Sequence, residues 1–333
     1  MNLWDFLTVE SPSVSPDYAV LRASRRAMAT NFEVLLPFGD PSAQFAAEAA
    51  LDVIDDLEEQ LSVYKPASEV SYLNSTAFAG PVAVEQGLFD LLHQAAHLSH
   101  ETHGAFDIAT GALTKAWGFY QRQGRVPTPT ERSKAMAAVG SRFLAFDVDH
   151  RTVRYLREGL EINLGAIGKG YALDRAVDIL TRERGIRCGL MHGGSSSVRA
   201  IGSLNPDGRG WPILLKHPWL EGVHLGTLFL ADASMGTSSA TFQHFEYNGQ
   251  KLGHVLDPRS GWPTTGVQQV SVIARTAAET DALSTAFFVL GPDATERWCR
   301  SRPDIGVVML ADGETTVRTW NLPKNLFQPS LPA

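Results

Sequence analysis

The chain has 333 residues, 44% hydrophobic and 20% charged, which is enough for a sizeable core in one large or two smaller domains. A net charge of −7 without any basic block excludes the electrostatic footprint of a nucleic-acid binder or of an anionic-membrane patch. Two cysteines far apart in the chain, Cys188 and Cys299, exclude a disulfide framework and a zinc cluster, and both read as buried thiols.

Residues 1–20 are rich in Pro and Ser and read as an irregular lead-in. They carry no positive n-region, cleavage pattern or lipid-anchor cysteine, and no run of about 18 apolar residues occurs elsewhere, so a cytoplasmic protein without a membrane span is expected. Thr30 to Phe38 has strand composition and ends at a Pro/Gly turn. Ala43 to Leu61 sets Ala47, Leu51, Ile54, Leu57 and Leu61 on one helical stripe. A second helix is predicted over Gln86 to Thr102, and a turn with a short helix over Pro127 to Ala138. Thr152 to Leu156 and Leu160 to Leu164 read as a hairpin, followed by a helix from Lys169 to Arg184 that Gly185 closes. Cys188 to Ser203 reads as strand, Gly/Ser turn, strand. Short strands and turns then lead to a helix over Glu279 to Gly291, a last strand over Gly306 to Leu310 and an irregular tail. Strand pairs followed by helices predict an α+β fold with antiparallel sheets. A single unit over residues 21–322 is expected, between the lead-in and a tail at 323–333.

Several stretches carry candidate chemistry. The "GGSSS" of Gly193 to Ser197 can cradle a phosphate, but it lacks a Walker ending, and a tight hairpin turn is the better reading. In "LGAIGKGYALD", Leu164 to Asp174, three glycines and Lys169 stand where a strand turns into a helix. An anion site and a glycine-rich turn with a solvated lysine fit that spacing equally well. In Gly104 to Phe119, the aromatics Phe106, Trp117 and Phe119 surround one acid, Asp107, and read as core. His254 is the best-placed base of the C-terminal half, while Asp257 before Pro258 is also a turn signal. His93, His97, His100 and His103 read as a helix face. His93 and His97 have zinc-compatible spacing but lack a nearby acid pair. Thr276 to Glu279 matches a capping box. Asp281 and Thr285, four apart, share a helix face, where a dipole partner, a solvated face and a metal are all open readings.

Together these segments resemble the ApbE family, the FAD:protein FMN transferases. The matching stretches run in family order: "MAT" (28–30), "LSVYKPASEVSYLN" (61–74), "GAFDIATGALTKAWGF" (104–119), "NLGAIGKGYALD" (163–174), "GLMHGG" (189–194), "HVLDPRSGWP" (254–263) and "TDALSTAFFVLG" (280–291). The resemblance implies a T-fold-like α+β architecture with duplicated antiparallel strand-pair and helix-pair units. It also implies Mg²⁺, FAD as substrate, and an acceptor protein. Such enzymes cleave the FAD pyrophosphate, attach FMN through a phosphoester to a Thr or Ser hydroxyl, and release AMP. Carried over by position, the FAD contacts fall on Met28, Tyr64, Ala105, Phe106, Asp107, Asn163, Lys169, His254 and Val255. The metal ligands fall on Asp281, Thr285 and the main-chain carbonyl of Ala166, an all-oxygen set of the kind magnesium prefers. His254 is assigned as the base that takes the acceptor proton, with Asp257 as its rival. The chain departs from the family pattern at Ser195, over Gly236 to Phe242 and at Gly253. Two alternatives stand beside transfer: a Mg²⁺-dependent FAD pyrophosphatase giving FMN and AMP, and a flavin-binding protein without turnover.

Overall fold

The computed structural model describes residues 19–330 apart from 122, 205–207, 241–243 and 248–249. Residues 1–18 of the lead-in, 331–333 of the tail and the last two positions of the Gly236 to Phe242 departure lie outside the described residues. Eight strands form the main sheet: β1 (Val20–Ala27), β2 (Thr30–Pro37), β3 (Gly189–Gly193), β4 (Ser197–Ile201), β5 (Ser234–Ser239), β6 (Val267–Ala274), β7 (Gly306–Ala311) and β8 (Arg318–Trp320). They lie side by side in chain order, each antiparallel to its neighbours. The helices α1 (Ala43–Leu61), α2 (Glu69–Thr76), α3 (Gln86–Glu101), α4 (Gly111–Ala116), α5 (Pro129–Met136), α6 (Gly168–Asp178) and α7 (Ala277–Cys299) fill the connections. The mixed helix and antiparallel-sheet expectation holds.

The two faces of the sheet bury different sets of residues because side chains alternate along each strand. Phe32, Val34 and Leu36 of β2 meet Leu51 and Ile54 of α1 and Leu283 and Phe287 of α7 in the main core. Leu35 of β2 points the other way, joining Leu190, Val198, Trp211, Leu228 and Phe327 in a second cluster. A three-stranded sheet supplies the cover on that side: Trp211–Lys216, His224–Leu230 and Phe327–Pro329. Part of the C-terminal tail is thus a strand, not irregular chain. Full burial of a side chain such as Phe287 or Leu51 stabilises by about 1.5–3 kcal/mol, so the stripe predicted for α1 fixes that helix on the sheet.

Several expectations need correction. Thr152–Tyr155 is a strand, but it pairs with Leu144–Asp147 and Val82–Ala83, not with Leu160 to Leu164. The backbone of that second segment bonds elsewhere: the Asn163 N–H donates to Ile108 O, the Ile162 N–H to Asn74 Oδ1, and Glu161 O accepts from Gly111. The helix read over Lys169 to Arg184 is regular only to Asp178 and ends in a π-turn over Ile179–Glu183. Glu279 to Gly291 is the first part of α7, which continues to Cys299 beyond a kink where Gly291 takes φ 74° before Pro292. Cys299 is buried, whereas Cys188 is half-buried, its thiol donating to Ser203 O. Strand β1 escaped the sequence reading because its alternating Arg22, Ser24 and Arg26 mask an edge strand with one wet face.

Candidate functional site

The site forms where α6 crosses α7 against β4 and β5. Two glycines allow that approach. A Cβ on Gly170 would overlap the carbonyl of Ala277 and lie 2.7 Å from Ala278 N. One on Gly236 of β5 would lie 2.5 Å from Thr280 O and 2.6 Å from Asp281 N. Asp174 of α6 then caps α7 across the crossing, accepting from the N–H groups of Ala277 at 2.8 Å and Ala278 at 2.9 Å. Burial pushes the Asp174 carboxyl up to about 6, against the pull of those two amides and of Arg199. The predicted capping box is half formed. Thr276 Oγ1 accepts from Glu279 N at 3.4 Å, but the Glu279 carboxylate turns to Arg302 at 2.8 Å instead of reaching back.

Asp281 sits five residues into α7, yet it serves the N-terminus of α6. Its Oδ2 accepts the Gly170 N–H at 2.8 Å, and Ser197 Oγ of β4 donates to Oδ1 at 2.7 Å and to Oδ2 at 3.0 Å. The residue is 6% exposed and Ser197 is fully buried. Burial drives the Asp281 carboxyl up to about 6, opposed by the Lys169 charge and then by the Ser197 and Gly170 donors. Thr285, one turn on, is half-buried in a run of buried neighbours, and its hydroxyl donates to the Asp281 carbonyl at 3.2 Å. Ser238 Oγ of β5 lies 3.0 Å from Ser284 Oγ and 3.5 Å from Thr285 Oγ1. Ala166 lies in the turn that opens α6, whose Gly168 N–H donates to Leu164 O at 2.7 Å.

Beside this junction opens a cavity of about 800 Å³, in the range of small-molecule and cofactor sites. Of the residues singled out from sequence, Met28, Tyr64, Asn163 and Lys169 line it. Met28 and Ala29 are the two central residues of the β1–β2 hairpin, with φ of 48° and 60°. That is the turn geometry in which Asn-Gly is favoured, so two side chains are held in a strained loop at the cavity wall. Tyr64 is 61% exposed and its ring meets Tyr120 at 4.6 Å and 35°. Asn163 Oδ1 accepts from Gly165 N at 2.9 Å and braces the glycine turn ahead of Lys169.

Other candidates lie outside that lining. Ala105 and Phe106 are buried in the main core. Asp107 holds a loop together: it accepts from Ala109 N at 2.7 Å, Ser99 Oγ at 2.7 Å, and the Ser141 N–H and hydroxyl. His254 follows the strand Gln250–Gly253 and Val255 packs against the main core. Asp257 is tied into its own turn, its carboxylate gripped by Arg259 Nε at 2.9 Å and Nη2 at 2.9 Å and its carbonyl accepting from Gly261 N. The predicted turn at Gly193 to Ser197 is present, with Gly194 at φ 65°. His93 lies among Phe89 and Phe146 and His97 pairs with Glu101, as a helix face would. Sequence reasoning missed Arg302, and it named Ser197 only as the end of a Gly/Ser turn and Gly236 only as a departure from the family pattern, without their contacts to α7. Asp174 stood inside a quoted motif, but its capping role depends on a helix 103 residues away.

The residues present suit a hard cation. Asp281, Thr285 and Ala166 offer only oxygen, and among the described residues no cluster of three His, Cys, Asp or Glu side chains gathers to favour a softer metal. A carboxylate has about four acceptor positions, and the Ser197 and Gly170 donors leave Asp281 room for a further partner.

The sequence pattern of the ApbE family matches residues 28–309. The chain belongs to the ApbE family. Among similar proteins, the FAD:protein FMN transferase of Escherichia coli (strain K12) is 28% identical over 307 residues, 90% of this chain and 86% of that protein. A protein of the same name from Klebsiella pneumoniae (strain 342) is 30% identical over 266 residues, 79% of this chain and 81% of that one. The crystal structure of the ApbE protein of Thermotoga maritima superposes with a TM-score of 0.81 at 27% identity, covering 90% of this chain and 96% of that one. The apo form of Pseudomonas stutzeri flavinyl transferase ApbE gives 0.79 at 26% identity, covering 91% and 94%. Among the described residues no helix is long and apolar enough to cross a membrane.

Proposed function

We propose that this ApbE-family chain is an FAD:protein FMN transferase that depends on Mg²⁺ and labels a Thr or Ser hydroxyl of an acceptor protein. The observation that carries the reading is the packing of the Asp281 carboxylate on the N-terminus of α6, next to Lys169 and a cavity of about 800 Å³. A helix N-terminus and a lysine attract the oxygens of a pyrophosphate. Mg²⁺ held by Asp281, Thr285 and the Ala166 carbonyl would supply charge neutralisation on the pyrophosphate. Tyr64 and Met28 offer the aromatic and apolar surface for a ring system. His254 takes the proton of the acceptor hydroxyl as its oxygen bonds to the FMN phosphorus. The bond from that phosphorus to the bridging oxygen breaks, and AMP leaves with the oxygen. Asp257 drops out of the proton-transfer role in this reading because Arg259 occupies its carboxylate. The architecture reads as a T-fold-like duplication, supported by the hairpin β1–β2 followed by α1 and by β6 followed by α7.

The test mixes the protein with FAD, Mg²⁺ and a candidate acceptor bearing a flavinylation site, then reads in-gel flavin fluorescence and AMP. A fluorescent acceptor with stoichiometric AMP is the expected result. AMP and FMN without labelling would make it a pyrophosphatase. FAD binding with neither product would make it a binding protein and overturn the proposal.

A further inference from the structure

We propose that Ser197 is a positioning residue that holds the metal-binding carboxylate of Asp281 in place, an inference that rests on the metal site read above. Ser197 opens β4, and its cross-strand partners on both sides are glycines, Gly193 on β3 and Gly236 on β5. Flanked by neighbours without side chains and fully buried, its hydroxyl turns to α7 and donates to Asp281 at 2.7 and 3.0 Å. The Gly170 N–H grips Oδ2 from the other helix at 2.8 Å. Two donors from two different elements fix the plane of the carboxylate, so its remaining lone pairs keep one direction. Ser197 and Asp281 are 84 residues apart, and the packing of α7 across the main sheet brings them together.

Loss of an outer partner of a metal ligand typically weakens metal affinity about 10–100-fold, and that is the effect expected for Ser197→Ala. The measurement is Mg²⁺ titration by isothermal calorimetry, with and without FAD, beside the Mg²⁺ dependence of flavin transfer. The half-saturating Mg²⁺ concentration rises by that factor, saturating Mg²⁺ recovers most of the lost transfer rate, and FAD affinity without metal is unchanged. Ser197→Cys keeps the side-chain shape and a weak donor at a slightly larger volume and falls between wild type and Ser197→Ala. It carries the comparison if the alanine variant does not fold. A purely structural serine would lower the melting temperature equally with and without Mg²⁺ and leave the Mg²⁺ dissociation constant at the wild-type value, which overturns the proposal. A wild-type protein that binds no Mg²⁺ under either condition removes the metal site itself, and the inference with it.

Discussion

Gly170→Ala sets two effects of opposite sign against each other. Alanine is favoured over glycine in a helix by about 1 kcal/mol, so propensity alone predicts a more stable protein. Packing predicts the reverse. The new methyl would overlap the Ala277 carbonyl and sit 2.7 Å from Ala278 N, so α6 and α7 must part by more than about 1 Å to reach an ordinary contact of about 3.5 Å. Overpacking of this kind costs about 1–3 kcal/mol. The shift also stretches the 2.8 Å bond from Gly170 N–H to Asp281, and bonds to charged groups are worth about 1.5–3 kcal/mol. The balance is a net loss of about 1.5–5 kcal/mol. A displacement of about 1 Å at the metal carboxylate further predicts a drop in transfer rate on the order of 100-fold. Thermal melts in EDTA and the rate of acceptor labelling in Mg²⁺ check the two parts separately. A variant that melts at or above the wild-type temperature and labels its acceptor at the wild-type rate would show that the helix crossing does not set the site.

Asp281→Ala removes the one carboxylate of the ligand set, and Mg²⁺-dependent AMP release should fall at least about 100-fold; full activity in that variant takes Asp281 out of the metal site. Asp174 predicts a pH signature. Its folded carboxyl is raised to about 6, so the stability tied to its protonation is fully present below about pH 4 and is lost as pH rises through 6. The size is about 3 kcal/mol, and Asp174→Asn should flatten that part of the pH–stability curve in denaturant titrations between pH 4 and 8. Equal pH dependence in variant and wild type would contradict it. Ala29→Gly relieves a non-glycine residue at φ 60° and should raise stability by about 0.5–1 kcal/mol; a fall in melting temperature would mean that the turn is not strained.

Periodicity was sufficient for α1, because its apolar stripe is the surface it buries. It was sufficient too for β3 and β4, where a Gly/Ser turn separates two apolar runs. It failed at Leu160 to Leu164, a segment of strand-like composition whose amides are taken by Ile108 and Asn74 instead of a neighbouring strand. Partners of that kind are long-range and leave no local pattern. The candidate site divides the same way. Lys169 and Asp281 stood out as charged residues in unusual settings. Ser197 and Gly236 could not, since a serine and a glycine in short strands acquire meaning only when α7 is laid across them. The half-formed capping box belongs with these cases: Glu279 has the right spacing, but Arg302, 23 residues on, competes for its carboxylate and wins.

The opposition between Asp281 and its surroundings leads to a last prediction. The N-terminus of α6 and Lys169 make the cavity wall attractive to a pyrophosphate. An ionised Asp281 accepting from Gly170 cancels part of that attraction, and burial makes its charge costly. A proton relieves the cost but leaves the carboxyl neutral. A divalent cation relieves it and leaves the pair with one positive charge, which the pyrophosphate can share. Metal and FAD should therefore bind with positive coupling, each tightening the other by the same factor, as linkage requires. A coupling of about 1–3 kcal/mol corresponds to roughly 5–150-fold. It is measurable as the change in FAD dissociation constant between EDTA and saturating Mg²⁺ and as the reciprocal change in Mg²⁺ affinity. In Asp281→Asn, which is neutral at every pH, FAD affinity in EDTA should rise towards the wild-type value in Mg²⁺, while the coupling disappears. FAD affinity that ignores Mg²⁺ in the wild type would break the argument at its first step, because the carboxylate would then have no influence on the pyrophosphate.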